Sequence, residues 1–177
     1  MAKERAIICG SPRKDGVSAR ISLFTAALLR DRVPDGKVNL FFVDNADVAP
    51  CIGCERCRET HECFMHDDMD YMMDLLAGAD ELIVVSPVYF AGPPAQLKAV
   101  LDRMQPHFWM RTRSLPKRPA HLMAVGDGGD PHGFDPLVVC TRSALAVAGF
   151  SLQTVSSCIG RNPDVAARNL VESMGLQ

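Results

Sequence analysis

Four of the seven cysteines in this 177-residue chain fall within thirteen positions: Cys51, Cys54, Cys57 and Cys63. Three thiols spaced by two residues can wrap one polynuclear iron–sulfur centre, and a fourth close by completes the ligand set. Structural zinc more often uses two CxxC pairs held apart by a longer spacer. An empty thiol loop or a reversible disulfide is also compatible with this spacing. The remaining cysteines, Cys9, Cys140 and Cys158, stand alone. An odd total behind a start that lacks a signal-peptide core speaks against a disulfide framework and for a cytoplasmic protein.

A second constellation is the loop Gly10-Ser11-Pro12-Arg13-Lys14-Asp15-Gly16-Val17-Ser18. Its glycines let the backbone approach an anion, its hydroxyls and the following helix amides donate hydrogen bonds, and Arg13 offers a two-pronged fork. It has neither the Lys-Ser/Thr pair of a Walker A loop nor the GxGxxG spacing of a dinucleotide fold. A small phosphorylated ligand fits it. Phosphate contacts alone, at about 1.5–3 kcal/mol each, do not offset an association cost of about 4–15 kcal/mol, so the ligand needs a second anchor. Ser86 to Gly92 supplies two adjacent aromatics, Tyr89 and Phe90, and Asp127 to Gly133 supplies backbone open to close approach. A planar, hydrogen-bonding ring with a phosphate tail matches all three loops, and FMN is such a molecule.

These loops need a scaffold that brings them together. Short apolar runs alternate with amphipathic segments, as in βαβ units around a parallel sheet. Strands are expected at Arg5–Cys9, Val38–Val43, Glu81–Ser86, Ala120–Gly126 and Ser151–Cys158. Helices are expected from Ser18 (as N-cap) to Arg30, from Asp67–Asp68 with Met69, Met72, Met73 and Leu76 buried, after Pro93–Pro94, over Leu137–Ala148 and after Pro163. Five strands alternating with five helices predict an α/β, flavodoxin-like doubly wound sheet of order 2-1-3-4-5 with helices on both faces. The expectation is one domain over 1–177, with a cysteine-rich insertion at about 44–66. Every unusual loop (10–17, 44–66, 87–93, 127–135) leaves the carboxyl end of a strand, the edge where such sheets bind ligands.

Composition is ordinary for a globular chain, with 47% hydrophobic and 23% charged residues and a net charge of −2. Near-neutrality disfavours broad nucleic-acid binding. The charge-free runs 82–97 and 143–160 are interrupted by proline or diluted by polar residues, which argues against a bilayer span.

GSPRKDGVS, PCIGCERCRETHEC and SPVYFAGPPAQLKAVLDR, in this order, resemble the NADPH-dependent FMN reductase superfamily, and within it the iron–sulfur flavoproteins. The resemblance covers the whole domain. It implies that Ser11, Arg13, Ser18 and Ala19 hold the FMN phosphate, and that Pro87, Val88, Tyr89 and Phe90 frame the isoalloxazine with Gly128 and Gly129. It also implies a [4Fe–4S] cluster on Cys51, Cys54, Cys57 and Cys63, and a homodimer or homotetramer. Val17 departs from the family, where a polar residue is expected.

The function expected is an FMN-dependent oxidoreductase that passes electrons between FMN and the cluster, with NAD(P)H or reduced ferredoxin as donor and no residue nominated as acid or base. A clusterless NAD(P)H-dependent FMN or quinone reductase, a non-enzymatic electron carrier and a thiol redox sensor are the alternatives. Gly53 would let the backbone approach the cluster. Cys9, Cys140 and Cys158 read as packing residues, and His61, His66 and His132 as solvated or structural. Arg111, Arg113, Lys117 and Arg118 read as a solvated basic run, with attraction of a nicotinamide phosphate or acidic partner the lesser reading. Trp109 is expected to cover either a subunit interface or a flavin.

Overall fold

A computed structural model describes residues 3–176, apart from the side chain of Arg113. Its five strands are β1 (Glu4–Cys9), β2 (Lys37–Phe42), β3 (Glu81–Pro87), β4 (Arg118–Gly126) and β5 (Phe150–Ile159). They form one all-parallel sheet of order β2-β1-β3-β4-β5. This is the doubly wound, flavodoxin-like arrangement, with β1 and β3 as neighbours at the point where the strand order reverses.

Alternation along the strands sends side chains to two cores. Ile7, Ile83, Val85 and Met123 pack with Ile21 and Leu29 of α1 (Val17–Arg32) and Leu170 and Val171 of the last helix (Pro163–Ser173). Ile8, Leu82, Val84 and Leu122 point the other way. They meet α3 (Met69–Gly78), α4 (Ala95–Asp102) and α6 (Asp135–Val147). A strand apolar at every position, as β3 nearly is, can be satisfied only when both faces are covered.

Several expectations need correction. Two short helices interrupt the anticipated alternation, α2 (Cys57–Thr60) inside the cysteine loop and α5 (Gln105–Trp109) after α4. Ser18 is not the N-cap of α1: Gly16 is, and Ser18 lies inside the helix, where its carbonyl accepts the Ser22 hydroxyl at 2.9 Å. The helix expected from Asp67–Asp68 begins at Met69, with Asp68 at its N-cap position and the Asp67 carboxylate accepting the Met69 N–H at 2.9 Å. Met73 is only half-buried, and Leu75 takes its place in the stripe. Arg118 is not a solvated member of a basic run. It opens β4, stacks 4.1 Å from the Phe150 ring centroid, and donates to the carbonyls of Leu76, Ala79 and Ala148, which close the C-terminal turns of α3 and α6. Lys117 likewise reaches the carbonyl of Ala146.

Candidate functional site

The loop after β1 is built to leave donors free. The Gly10 N–H is bound to the Val85 carbonyl at 2.8 Å, which seats the loop against the end of β3. The Ser11 hydroxyl accepts from the Arg13 N–H at 3.1 Å and donates to the Arg13 carbonyl, closing a tight turn. No side chain caps α1 and no acidic residue lies in its first turn. The leading amides of α1 therefore face the loop without partners, at the positive end of the helix dipole. That is the requirement of a phosphate site, and it needs no side chain at Val17, which is exposed. Ser11, Ser18 and Ala19 are buried here, while Arg13 is solvent-exposed.

Beside it, the loops after β3 and β4 border a cavity of ≈ 460 Å³, lined by Val88, Phe90, Gly128, Gly129, Phe134 and Ile159 among others. The Val88 N–H binds the Val125 carbonyl at 2.8 Å, joining the two loops. Gly128 and Gly129 have φ of 85° and 91°, and a Cβ at Gly129 would meet nothing within 4 Å, so the backbone is open to a ligand's face. Phe90 is wholly exposed and sits at φ 50°. A bulky residue held in the left-handed region with its ring in water is a costly arrangement that a flat ligand would repay. Pro87 ends β3 and Tyr89 follows it, but neither lines this cavity, nor do Ser11, Arg13, Ser18 and Ala19. A ring in the cavity and a phosphate at α1 are thus compatible with the residues present.

The insertion after β2 borders a second cavity of ≈ 350 Å³. Cys51, Cys54, Cys57 and Cys63 all line it, together with Arg103 and Trp109. The Cys57 thiol pKa is raised, first by burial and then by the charges of Cys63, Cys51 and Cys54, a mark of crowded sulfurs. All four are free thiols. Among the described residues no three Cys, His, Asp or Glu side chains converge as ligands of a single ion. A cubane takes one thiolate at each iron, so its sulfurs stand around a larger body than one ion, and an all-thiolate set on a roomy wall fits it. Gly53 and Glu55 both have positive φ, 66° and 59°, which curl the loop around this space.

Arg103, fully buried at 1% exposure, clamps both ends of that loop. Its Nη1 donates to the Ala49 carbonyl (2.9 Å) and to Asp67 (2.7 Å), and its Nη2 to the Met65 carbonyl (2.9 Å) and to Asp67 (3.1 Å). Asp67 also accepts the N–H of Ala49 and of Met69. Burial alone would raise the Asp67 pKa, but these hydrogen bonds outweigh it and hold the carboxyl below its usual range.

Residues 5–157 match the sequence family described as NADPH-dependent FMN reductase. The chain belongs to that family. As a family member it is 41% identical over 96 residues to the iron-sulfur flavoprotein of Methanosarcina thermophila, which covers 54% of this chain and 49% of that protein. It is 39% identical over 101 residues to an iron-sulfur flavoprotein of Methanocaldococcus jannaschii, covering 56% and 50%. The matched region spans about half the length of these curated relatives. A solved NADH:FMN oxidoreductase superposes with a TM-score of 0.69 at 22% identity, over 99% of this chain and 91% of that one, a likeness of fold.

Other members of the sequence-derived set fall outside the chemistry. Cys9 and Cys158 are buried, the latter donating to the Arg161 carbonyl, and burial raises both thiol pKa values. His66 pairs with Asp70 at 3.0 Å beside the start of α3, His61 ends α2 in a left-handed turn, and His132 is exposed. Trp109 belongs to the cysteine cavity, with the Arg58 guanidinium 5.3 Å from its ring centroid. Arg103 was not among the residues singled out by sequence. The available signal was an arginine just past the end of a helix whose apolar residues, Leu97, Val100 and Leu101, face the core, and next to Met104, which is buried with them. Among the described residues no helix is long and apolar enough to cross a membrane.

Proposed function

We propose that this family member is an FMN-dependent oxidoreductase and electron-transfer flavoprotein that carries FMN across the loops after β1, β3 and β4 and a [4Fe–4S] cluster on Cys51, Cys54, Cys57 and Cys63. The observation that carries the reading is the gathering of all four thiols on one cavity wall, on the same sheet edge as the uncapped start of α1 and the open Gly128–Gly129 backbone. When bound, FMN supplies two-electron hydride chemistry and the cluster supplies one-electron transfer.

The protein's part is placement. The free amides of α1, with Ser11, Arg13, Ser18 and Ala19 around them, would hold the phosphate. Pro87, Val88, Tyr89 and Phe90 on one side and Gly128 and Gly129 on the other would frame the ring. The four cysteines would hold the cluster as thiolates, with the clamp from Arg103 to Asp67 keeping their loop in shape. NAD(P)H or reduced ferredoxin is the proposed donor. A homodimer or homotetramer, in one domain over 1–177, is the proposed form.

Iron, acid-labile sulfide and FMN measured per chain on anaerobically purified protein test this. About four iron, four sulfide and one FMN, as cubane ligation by four thiolates requires, support it. FMN without iron yields the second reading, a clusterless NAD(P)H-dependent FMN reductase, favoured by the match of 5–157 to that family. Absence of FMN overturns both.

A further inference from the structure

Arginine has five N–H donors, and four of those on Arg103 are spent on Ala49, Met65 and Asp67. The fifth, on Nε, is buried and has no hydrogen-bond partner. A buried donor left unmade is costly, and native structures rarely keep one without a reason. Arg103 and Cys63 line the same cavity, so a cysteine sulfur is the acceptor chemistry within that space. Burial works against the guanidinium charge, but the hydrogen bond to Asp67 and the negative charges of Cys63 and Asp67 keep it.

We infer that Arg103 is a positioning and tuning residue for the cluster, its Nε–H directed at the Cys63 sulfur and its charge fixed beside the thiolate set. The inference rests on the cluster reading above. Hydrogen bonds to cluster sulfurs and nearby charge are the levers by which a protein sets the reduction potential of such a centre. Asp67 holds the fork in a single orientation, so the remaining N–H has one direction to point. A donor and a positive charge at a ligand sulfur favour the more negative, reduced cluster, which raises its potential.

The test is a redox titration of the anaerobic holoprotein, followed by cluster and flavin spectra separately, for wild type, Arg103→Lys and Arg103→Gln. Lysine keeps a charge for Asp67 but loses the directed fork. The cluster midpoint should fall in Arg103→Lys and further in Arg103→Gln, with the flavin midpoint unmoved and iron retained in the lysine variant. An unchanged cluster midpoint in iron-replete variants overturns the inference. Should both variants fail to fold, wild type decides. An arginine Nε–H resonance in its proton NMR spectrum should shift when the cluster is loaded and return when iron is removed, and no such arginine signal would refute the role. If anaerobic wild type holds no iron, the cluster reading falls first and this inference with it.

Discussion

Arg103 and Asp67 lie 36 positions apart in sequence and meet through two parallel hydrogen bonds of 2.7 and 3.1 Å. The pair stands between the two ends of the cysteine loop, which it ties through Ala49 and Met65. Asp67→Asn keeps the shape but leaves the Arg103 charge without its counter-ion. Removing one partner of a buried pair costs about 3–5 kcal/mol, and the 11% exposure of the Asp67 side chain places the loss near the lower figure. Urea denaturation of the variant should show it, together with faster loss of iron to a chelator than in wild type. Wild-type stability in Asp67→Asn would mean the clamp is ornamental.

Gly10 approaches α4 so closely that a Cβ would lie 2.6 Å from Leu97 Cδ2 and 3.2 Å from its Cβ and Cγ. Leu97 is fully buried and has nowhere to retreat. Gly10→Ala should therefore cost about 1–3 kcal/mol by overpacking and weaken FMN retention by displacing the phosphate loop. Combining it with Leu97→Ala should restore part of the FMN affinity, since the clash is with that side chain. Equal FMN affinity for wild type and Gly10→Ala, measured by fluorescence quenching, would separate this contact from the loop's function.

The sheet was legible in sequence because its central strands are nearly continuous apolar runs: LIVV within β3 can be satisfied only at the centre of a covered parallel sheet, and the loops between such strands announce themselves by glycine, proline and cysteine. Locally repeated signals came through for the same reason, the four cysteines above all. Long-range ones did not. Ser18 looked like a cap because serine commonly is one, whereas the backbone turns into helix two residues earlier at Gly16. Arg118 looked solvated because charges near Arg111 are, yet helix ends brought in from α3 and α6 supply carbonyls for its guanidinium. The Arg103–Asp67 contact depends on the three-dimensional return of a loop, and no spacing in one dimension encodes it.

Glu81 gives the protein an acid limb. Its Oε2 accepts from Arg5 Nε at 2.8 Å and its Oε1 lies 3.0 Å from His121 Nε2, all three side chains being buried. Burial pushes the Glu81 pKa up, but the hydrogen bonds from His121 and Arg5 outweigh it, and the folded value lies below the ordinary one. The unfolded chain therefore binds the proton first as pH drops. Stability from this group is complete above about pH 4.3, the ordinary glutamate value, and is lost as pH falls through the lowered folded pKa. Denaturation midpoints measured between pH 3 and 7 should decline on that limb. Glu81→Gln should flatten the limb and lower stability at pH 7, and an unaltered limb would assign acid sensitivity to other carboxylates, Asp67 first.

Cys54 is exposed and, among the described residues, its side chain makes no hydrogen bond that the fold needs. Cys54→Ala should leave global stability within about 0.5 kcal/mol, as for surface substitutions generally. If it is a cluster ligand, iron and sulfide content should drop sharply while FMN stays near one per chain, because the flavin loops leave β1, β3 and β4 and not β2. Loss of FMN together with iron would mean that the cysteine loop and the flavin crevice are one cooperative site.

Phe90 tests the crevice from the opposite direction. It contributes nothing to the core at full exposure and holds a backbone conformation, φ 50°, that a bulky residue adopts at a cost of about 1–2 kcal/mol. Phe90→Gly removes that strain but adds freedom to the unfolded chain, worth about 0.4–1 kcal/mol in the other sense. The net effect should be a small gain in thermal stability of the FMN-free protein. FMN affinity should move the other way, falling as the aromatic wall of the cavity is lost. A variant that is both more stable and unimpaired in FMN binding would show that the strained ring is held for something other than the flavin.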